Sequence, residues 1–340
     1  MPRPAHRRPG IVLGVSLALG GLGAWLHPYL AATLPSGEST PNLQPAQAAP
    51  PTTTALLPSA PGLSRTADGR HYPLVPADPG ELAALLARVE AAIRSPGTPA
   101  AELPDLGHQQ QVIYRVLSHK PQLSAQVRRE LPPRWQSVFD RHLAARREFL
   151  AMHRGGRKPT SLPAWRIIAP EPPEVLIGHY KKAEAATGIA WEVLAAVNLV
   201  ETGMGRIDGV SVANAQGPMQ FLPTTWSERG IGKGDIRDPH DAIQAAARYL
   251  VRRGGLQDIR KGLWGYNNSD HYGRAVLHYA SLIKEDPRAY LGLYHWEIHF
   301  GTAAGDLWLP VGYDQSQRIP VTAFLQRSPA SAPPPGSSGY

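Results

Sequence analysis

A chain of 340 residues with 35 prolines and 33 glycines exceeds one average domain, and those two residue types gather outside its periodic stretches. The absence of cysteine excludes disulfides, thiolate metal sites, cysteine nucleophiles and a lipid-modified cysteine anchor. The net charge of +8 suits an anionic partner such as membrane or cell wall, but the arginines are scattered. Without a basic stripe interleaved with aromatics, and without a helix-turn-helix, no nucleic-acid partner is expected.

Arg3, Arg7 and Arg8 precede an apolar run from Ile11 to Leu26, and no Asp, Glu, Lys or Arg falls between Pro9 and Gly37. A signal-peptide core spans about 7–15 residues and a membrane helix about 17–25, so this run sits between the two. Residues 1–34 are therefore read as a signal or anchor helix, with the uncleaved anchor preferred and Ala46-Gln47-Ala48 as the alternative cleavage site. Either reading puts the rest of the chain outside the cytoplasm, in the cell envelope. Residues 35–78 read as a disordered Pro-rich spacer, since their composition offers little apolar surface to offset ordering.

Residues 79–157 form a helical N-terminal region. Leu82, Leu85, Leu86, Val89 and Ile93 share one helix face; Val112, Val116 and Leu117 repeat the pattern, and Val138, Leu143 and Phe149 do so more loosely. These stripes read as core, with no chemistry assigned. Residues 158–313 form the second region. Val175–Thr187 reads as a helix stopped by Gly188, and Ile189–Val200 as an inward-facing helix with Glu201 at its end. Pro223–Arg229 is short. Asp238 caps a helix that begins at Pro239 and runs through Ile243, Ala246, Leu250 and Val251. A last helix carries Ala275, Val276, Tyr279, Leu282 and Ile283. Strand patterns are scarce, so the class is mainly α, and residues 314–340 read as a flexible tail.

Three places could carry chemistry. Glu201 ends a buried helix before Gly203 and Gly205, where lost hydration raises a carboxyl toward the proton affinity of a general acid. The bland alternative is a solvated helix-end glutamate. In Ala215-Gln216-Gly217-Pro218-Met219-Gln220-Phe221, Gly217 allows close approach to a ligand, Gln220 offers an amide that matches an N-acetyl group, and Met219 and Phe221 supply an apolar wall. In Trp264-Gly265-Tyr266-Asn267-Asn268-Ser269, a phenol and two amides share one turn. Trp226, Trp264, Tyr266 and Tyr272 could stack on sugars or serve as core. Two clusters invite a metal: His295 and His299 at i, i+4, and Asp235, Asp238 and Asp241 as an oxygen cage. The expectation is that neither binds one and that no cofactor is needed.

In order and spacing, Glu201-Thr202-Gly203, Gly217-Pro218-Met219-Gln220-Phe221 and Tyr266-Asn267 resemble the lytic transglycosylase family of the lysozyme superfamily, the SLT-type domain. The intervening Gly234–Pro239 and Ala242–Leu250 look like that family's connecting helix. The resemblance covers about 174–285, with an extension to about 313; Thr202 stands where serine is frequent and Asn214 where glycine is common. It implies a goose-type-lysozyme-like helical fold, peptidoglycan glycan strands as substrate, and cleavage of the bond between N-acetylmuramic acid and N-acetylglucosamine. By the same resemblance Glu201 is acid and then base, closing a 1,6-anhydro ring. Gly217, Met219, Gln220, Phe221, Tyr266 and Asn267 would bind substrate, with Tyr266 also hydrogen-bonding Glu201. A hydrolase using Asp208 or Asp235 as second acid, or a non-catalytic wall-binding scaffold, are the alternatives.

Overall fold

The structure, a computed structural model, describes residues 56–58, 61–152, 158–211 and 213–337. The anchor expected at 1–34 and the cleavage site at 46–48 lie outside the described residues. Among those described, no helix is long and apolar enough to cross a membrane.

Four helices build the N-terminal region: α1 (Pro79–Arg94), α2 (Leu103–His119), α3 (Pro121–Glu130) and α4 (Pro133–Met152). Asp78 starts α1 by accepting the Glu81 amide at 2.8 Å, with Pro79 behind it, and the stripe Leu82, Leu85, Leu86, Val89 and Ile93 is buried. Helix α2 is covered on nearly all sides, which forces its polar residues to find partners. Gln109 donates to the Leu74 carbonyl, Gln111 donates to the Glu297 carbonyl and accepts its amide, and Arg115 pairs with Asp306. Beside it, Glu90 is fully buried, yet three donors, Tyr114, Gln110 and Arg94, converge on its carboxylate.

The second region contains α5 (Pro173–Thr187), α6 (Trp191–Thr202), α7 (Pro223–Trp226), α8 (Pro239–Arg252), α9 (Ile259–Asn267), α10 (Asp270–Glu285) and α11 (Ala289–Tyr294). Its core gathers Leu194, Val197, Ile243, Leu250, Val276 and Ile283. The long helix α4 packs along α10, and α10 packs on α6, so the N-terminal region is seated directly behind the helix that ends in Glu201.

Three short antiparallel pairs complete the fold: β1 (Ser161–Leu162) with β6 (Ile319–Pro320), β2 (Arg166–Ile167) with β3 (Ile207–Asp208), and β4 (Ile298–Thr302) with β5 (Gly305–Leu309). The mainly α expectation holds, with these pairs added. The β4–β5 hairpin was not foreseen, and it removes the proposed shared helix face of His295 and His299. His295 follows the end of α11, whereas His299 lies in β4 opposite Trp308. The Nε2 of His299 sits 2.9 Å from that of His108.

Two segments read as disordered are packed. Between 61 and 78, Tyr72 is buried and donates to the Asp306 carbonyl, and Val75 is buried beside Leu82 and its neighbours. In the C-terminal segment α12 (Val321–Arg327) buries Val321 and Phe324, and the Ser337 hydroxyl accepts the Val75 amide at 3.0 Å. Composition alone misread both, because their few apolar residues find a surface made by distant parts of the chain.

Candidate active site

Helix α6 presents Glu201 because its apolar face is continuous from Val193 to Val200 and a glycine ends it one residue after Thr202. Gly203 adopts φ +61°, a left-handed conformation that costs most residues free energy, and its amide closes onto Leu199. Thr202 then pins the helix end to the next motif: its hydroxyl donates to the Pro218 carbonyl at 2.6 Å, which also accepts from Asn198. Threonine supplies the hydroxyl that serine would, and the departure is conservative in function.

The motif at 215–221 is a tight turn closed by paired amide–carbonyl bonds between Gln216 and Phe221. Gly217 has φ +71°, and a Cβ there would stand 1.9 Å from the Ile236 carbonyl oxygen, so no other residue fits. Gln220 is itself in a left-handed conformation at φ +48°, and its amide nitrogen bonds the Gly217 carbonyl at 3.0 Å. Met219 is wholly buried and Phe221 nearly so, within an aromatic cluster with Trp226, Tyr249 and Tyr266. Asn267 ends α9, and Asn268 takes the left-handed cap after it at φ +51°. Trp226 packs into the aromatic cluster, whereas Trp264 is exposed.

The tyrosine that meets Glu201 is Tyr272, not Tyr266. The Tyr272 hydroxyl donates to Glu201 Oε1 at 2.8 Å, whereas the Tyr266 hydroxyl donates to the Met219 carbonyl at 2.8 Å. The two rings lie nearly parallel, 6.2 Å apart. Tyr266 therefore ties the 215–221 turn to α9, and Tyr272, held in the first turn of α10 by the Ser269 cap, reaches the carboxyl. Glu201 is 4% exposed, and burial pushes its carboxyl up to about 8, opposed only by the hydrogen bond from Tyr272. At neutral pH it carries its proton.

A pocket of about 110 Å³ opens beside Glu201, with space for on the order of ten water molecules. Gly203, Ile207 and Trp165 form one wall; Arg146 and Phe149 of α4 with Trp296 and Ile298 form others. None of the six proposed substrate-binding residues lines this pocket. Of the pocket residues outside α6, only Gly203 belongs to one of the sequence motifs. Among them the sequence marks Phe149 and Tyr279 as core and His299 as a candidate metal ligand.

Of the acids proposed as a second catalytic group, Asp208 is bound by Arg166 and Arg237, and Asp235 accepts the Arg237 amide. The other carboxylate lining the pocket, Glu297, is held by Arg70 at 2.6 Å and accepts from Trp308. The acidic residues weighed as an oxygen cage have structural roles: Asp238 caps α8, and Asp241 accepts the Asp235 amide and contacts His240. Among the described residues Asp238, His240 and Asp241 bring potential ligand atoms within 4.8 Å, but these local bonds already account for the two carboxylates.

Glu201 is thus a buried acid at a helix end, bonded by a tyrosine other than the one that the sequence resemblance implied. Residues 179–278 match the transglycosylase SLT domain. No curated protein and no solved structure matches the chain. The SLT match contains Glu201, the 215–221 turn, Tyr266 and Tyr272, and it carries lytic transglycosylase-type action on peptidoglycan at the level of the family, in the bacterial cell envelope. Helix α4, Trp165 and the β4–β5 hairpin lie outside the SLT match.

Proposed function

We propose that the protein is a peptidoglycan lytic transglycosylase that cleaves the β-1,4 bond between N-acetylmuramic acid and N-acetylglucosamine with Glu201 as its one catalytic acid and base. The observation that carries this reading is the setting of Glu201: buried, and bonded by a phenol rather than by another charge, so that burial raises its proton affinity toward that of a general acid. Such a carboxylic acid can protonate the glycosidic oxygen as the bond to the anomeric carbon breaks. The carboxylate so formed then takes the proton of the muramoyl 6-hydroxyl, whose oxygen closes on the anomeric carbon as a 1,6-anhydro ring. The proton count balances and no water is consumed.

A conventional retaining glycosidase has a second carboxylate about 5–5.5 Å away as nucleophile. Support for the lyase over the hydrolase comes from the engagement of Asp208, Asp235 and Glu297 with other partners. In this reading Gln220 and the 215–221 turn face the acetamido group, Met219 and Phe221 stiffen that turn from beneath, and Tyr266 and Asn267 fix its position. The membrane anchor at 1–34 would hold the domain against the wall. Mass spectrometry of a digest of purified wall tests the reading: anhydro-muramoyl ends, lighter by one water than hydrolytic ends, are expected. Reducing ends would make the enzyme a hydrolase, and undigested wall would leave a binding protein.

Tyr272 has a separable expected effect. Its hydroxyl favours the ionised form of Glu201, so Tyr272→Phe should raise the proton affinity of the acid further. The wild-type rate should fall as pH rises through about 8, where Glu201 loses its proton, and the variant's fall should come at higher pH. The variant should also lose about tenfold in kcat, because the carboxylate formed in the first step loses its donor. A pH–rate profile checks both, and an unmoved alkaline limb would remove Tyr272 from the mechanism.

A further inference from the structure

We propose that the outer face of α9, together with Arg253 beside it, is a docking surface for a bilayer that carries anionic phospholipid. The inference rests on the cell-envelope location that the SLT match carries, and not on the reaction at Glu201.

Between Arg252 and Asn268 the chain carries four cations and one acid. The acid, Asp258, is occupied as the cap of α9, where its carboxylate accepts the Arg260 amide at 2.9 Å. Arg252 pairs with Glu228 and donates to the Arg229 carbonyl. Arg260 and Lys261 are exposed in the first turn of α9, and among the described residues neither pairs with a carboxylate. Arg253 joins them from the end of α8. A Cβ on Gly265 would stand 2.7 Å from the Arg253 Cβ, so the arginine stem lies against α9. Its guanidinium is held 4.7 Å over the Tyr249 ring and donates to that hydroxyl at 2.6 Å. The Lys261 stem passes along Gly254 in the same way, 3.3 Å from where a Cβ would be.

This cationic face is also apolar. Trp264 is 37% exposed, one turn on from Arg260, and Leu256 is 49% exposed in the turn before α9. A lipid interface satisfies both: phosphates meet the charges, while the indole and the alkyl group enter the headgroup boundary. A glycan polymer could engage the charges and stack on Trp264, but it offers no apolar phase to Leu256. The helix itself separates this face from the candidate site. At about 3.6 residues per turn, Arg260, Lys261 and Trp264 lie on one side of α9, and Leu263 and Tyr266 on the other. Leu263 is fully buried, and the Tyr266 hydroxyl donates to the Met219 carbonyl. A strand held at the 215–221 turn meets the Tyr266 side and leaves the cationic side to the bilayer.

The test uses the full chain, whose lack of native cysteine lets one label report one place. An environment-sensitive fluorophore is attached at Gln257→Cys, exposed beside Leu256, and in a second protein at Val311→Cys, exposed after β5. Each is mixed with vesicles of phosphatidylcholine alone and of phosphatidylcholine with phosphatidylglycerol. Residues 1–34 are common to every protein compared, so whatever lipid contact they make cancels. The label at position 257 should shift to the blue on phosphatidylglycerol vesicles only, and the label at 311 on neither. Arg260→Gln with Lys261→Gln should move the docked-to-undocked ratio about 10–30-fold against the bilayer and so remove most of the shift. The same double variant should cleave soluble wall fragments at the wild-type rate. No shift, an equal shift on both vesicles or an equal shift at both labels overturns the proposal. So does a shift on isolated glycan strands without lipid, or a loss of cleavage in the double variant, since either assigns the face to the wall. Cleavage by the wild type without a lipid response would sink the docking face and leave the transglycosylase reading standing. A lipid response without cleavage would do the reverse.

Discussion

Glu201→Gln is expected to abolish cleavage of peptidoglycan, by several orders of magnitude in kcat, while leaving strand binding intact. The amide has the shape of the acid and still offers an oxygen to the Tyr272 hydroxyl, so the buried hydrogen bond at 2.8 Å can persist. What it lacks is a proton that it can release and take back. One group is asked to do both, and the other carboxylates near it are engaged, Glu297 by Arg70 and Asp208 by Arg166 and Arg237. No neighbour is free to substitute. Loss of general acid–base catalysis alone costs about 100–10,000-fold, and here the same residue serves both proton transfers. The measurement is release of soluble muropeptides by the variant and the wild type, with strand binding measured in parallel. Substantial release by the variant would overturn the assignment of Glu201.

How far the sequence led to this site depends on the range of each interaction. The end of α6 was legible because an apolar face from Val193 to Val200 and a stop at Gly203 are local features. So was the turn at Gly217, whose backbone no side chain could share. Tyr272 reads from the sequence as sugar platform or core alike, although a signal favours core. It precedes Ala275, Val276 and Tyr279 at helical spacing, which puts it on the buried face of α10 rather than on the surface. Settling on core raises the question of where its hydroxyl goes.

The pocket walls were not legible for a different reason. Arg146 sits in a stretch whose apolar periodicity is weak, and nothing local marks a charged residue that will be buried 55 positions before the acid it flanks. The polar face of α2 was equally silent: Gln111 is satisfied by Glu297, 186 residues away. The β4–β5 hairpin was hidden by a dense run of aromatic and histidine residues that reads as readily as a helix flank. Its alternation emerges only when Ile298 and Leu307 are seen to face Trp165 and Phe324 in one cluster.

The same substitution that removes activity should stabilise the fold, and by an amount that depends on pH. Unfolded, the Glu201 carboxyl titrates near its ordinary 4.5; folded, burial holds it at about 8. Between these values the native chain keeps a proton that the unfolded chain has released. Stability therefore falls as pH rises, and the loss is complete once the pH passes about 8. Summed over that interval the penalty is on the order of 3–5 kcal/mol. Glu201→Gln removes it, since a neutral amide does not titrate. At pH 4.5 and below the two proteins should melt together, and at pH 8.5 the glutamine variant should melt clearly higher. Every other titrating group is common to both chains and cancels in the difference, so thermal unfolding of the pair across this range isolates the one carboxyl. Melting curves that stay parallel from pH 4.5 to 8.5 would mean that Glu201 is ionised in the native state, and the proton needed to begin cleavage would have to come from elsewhere.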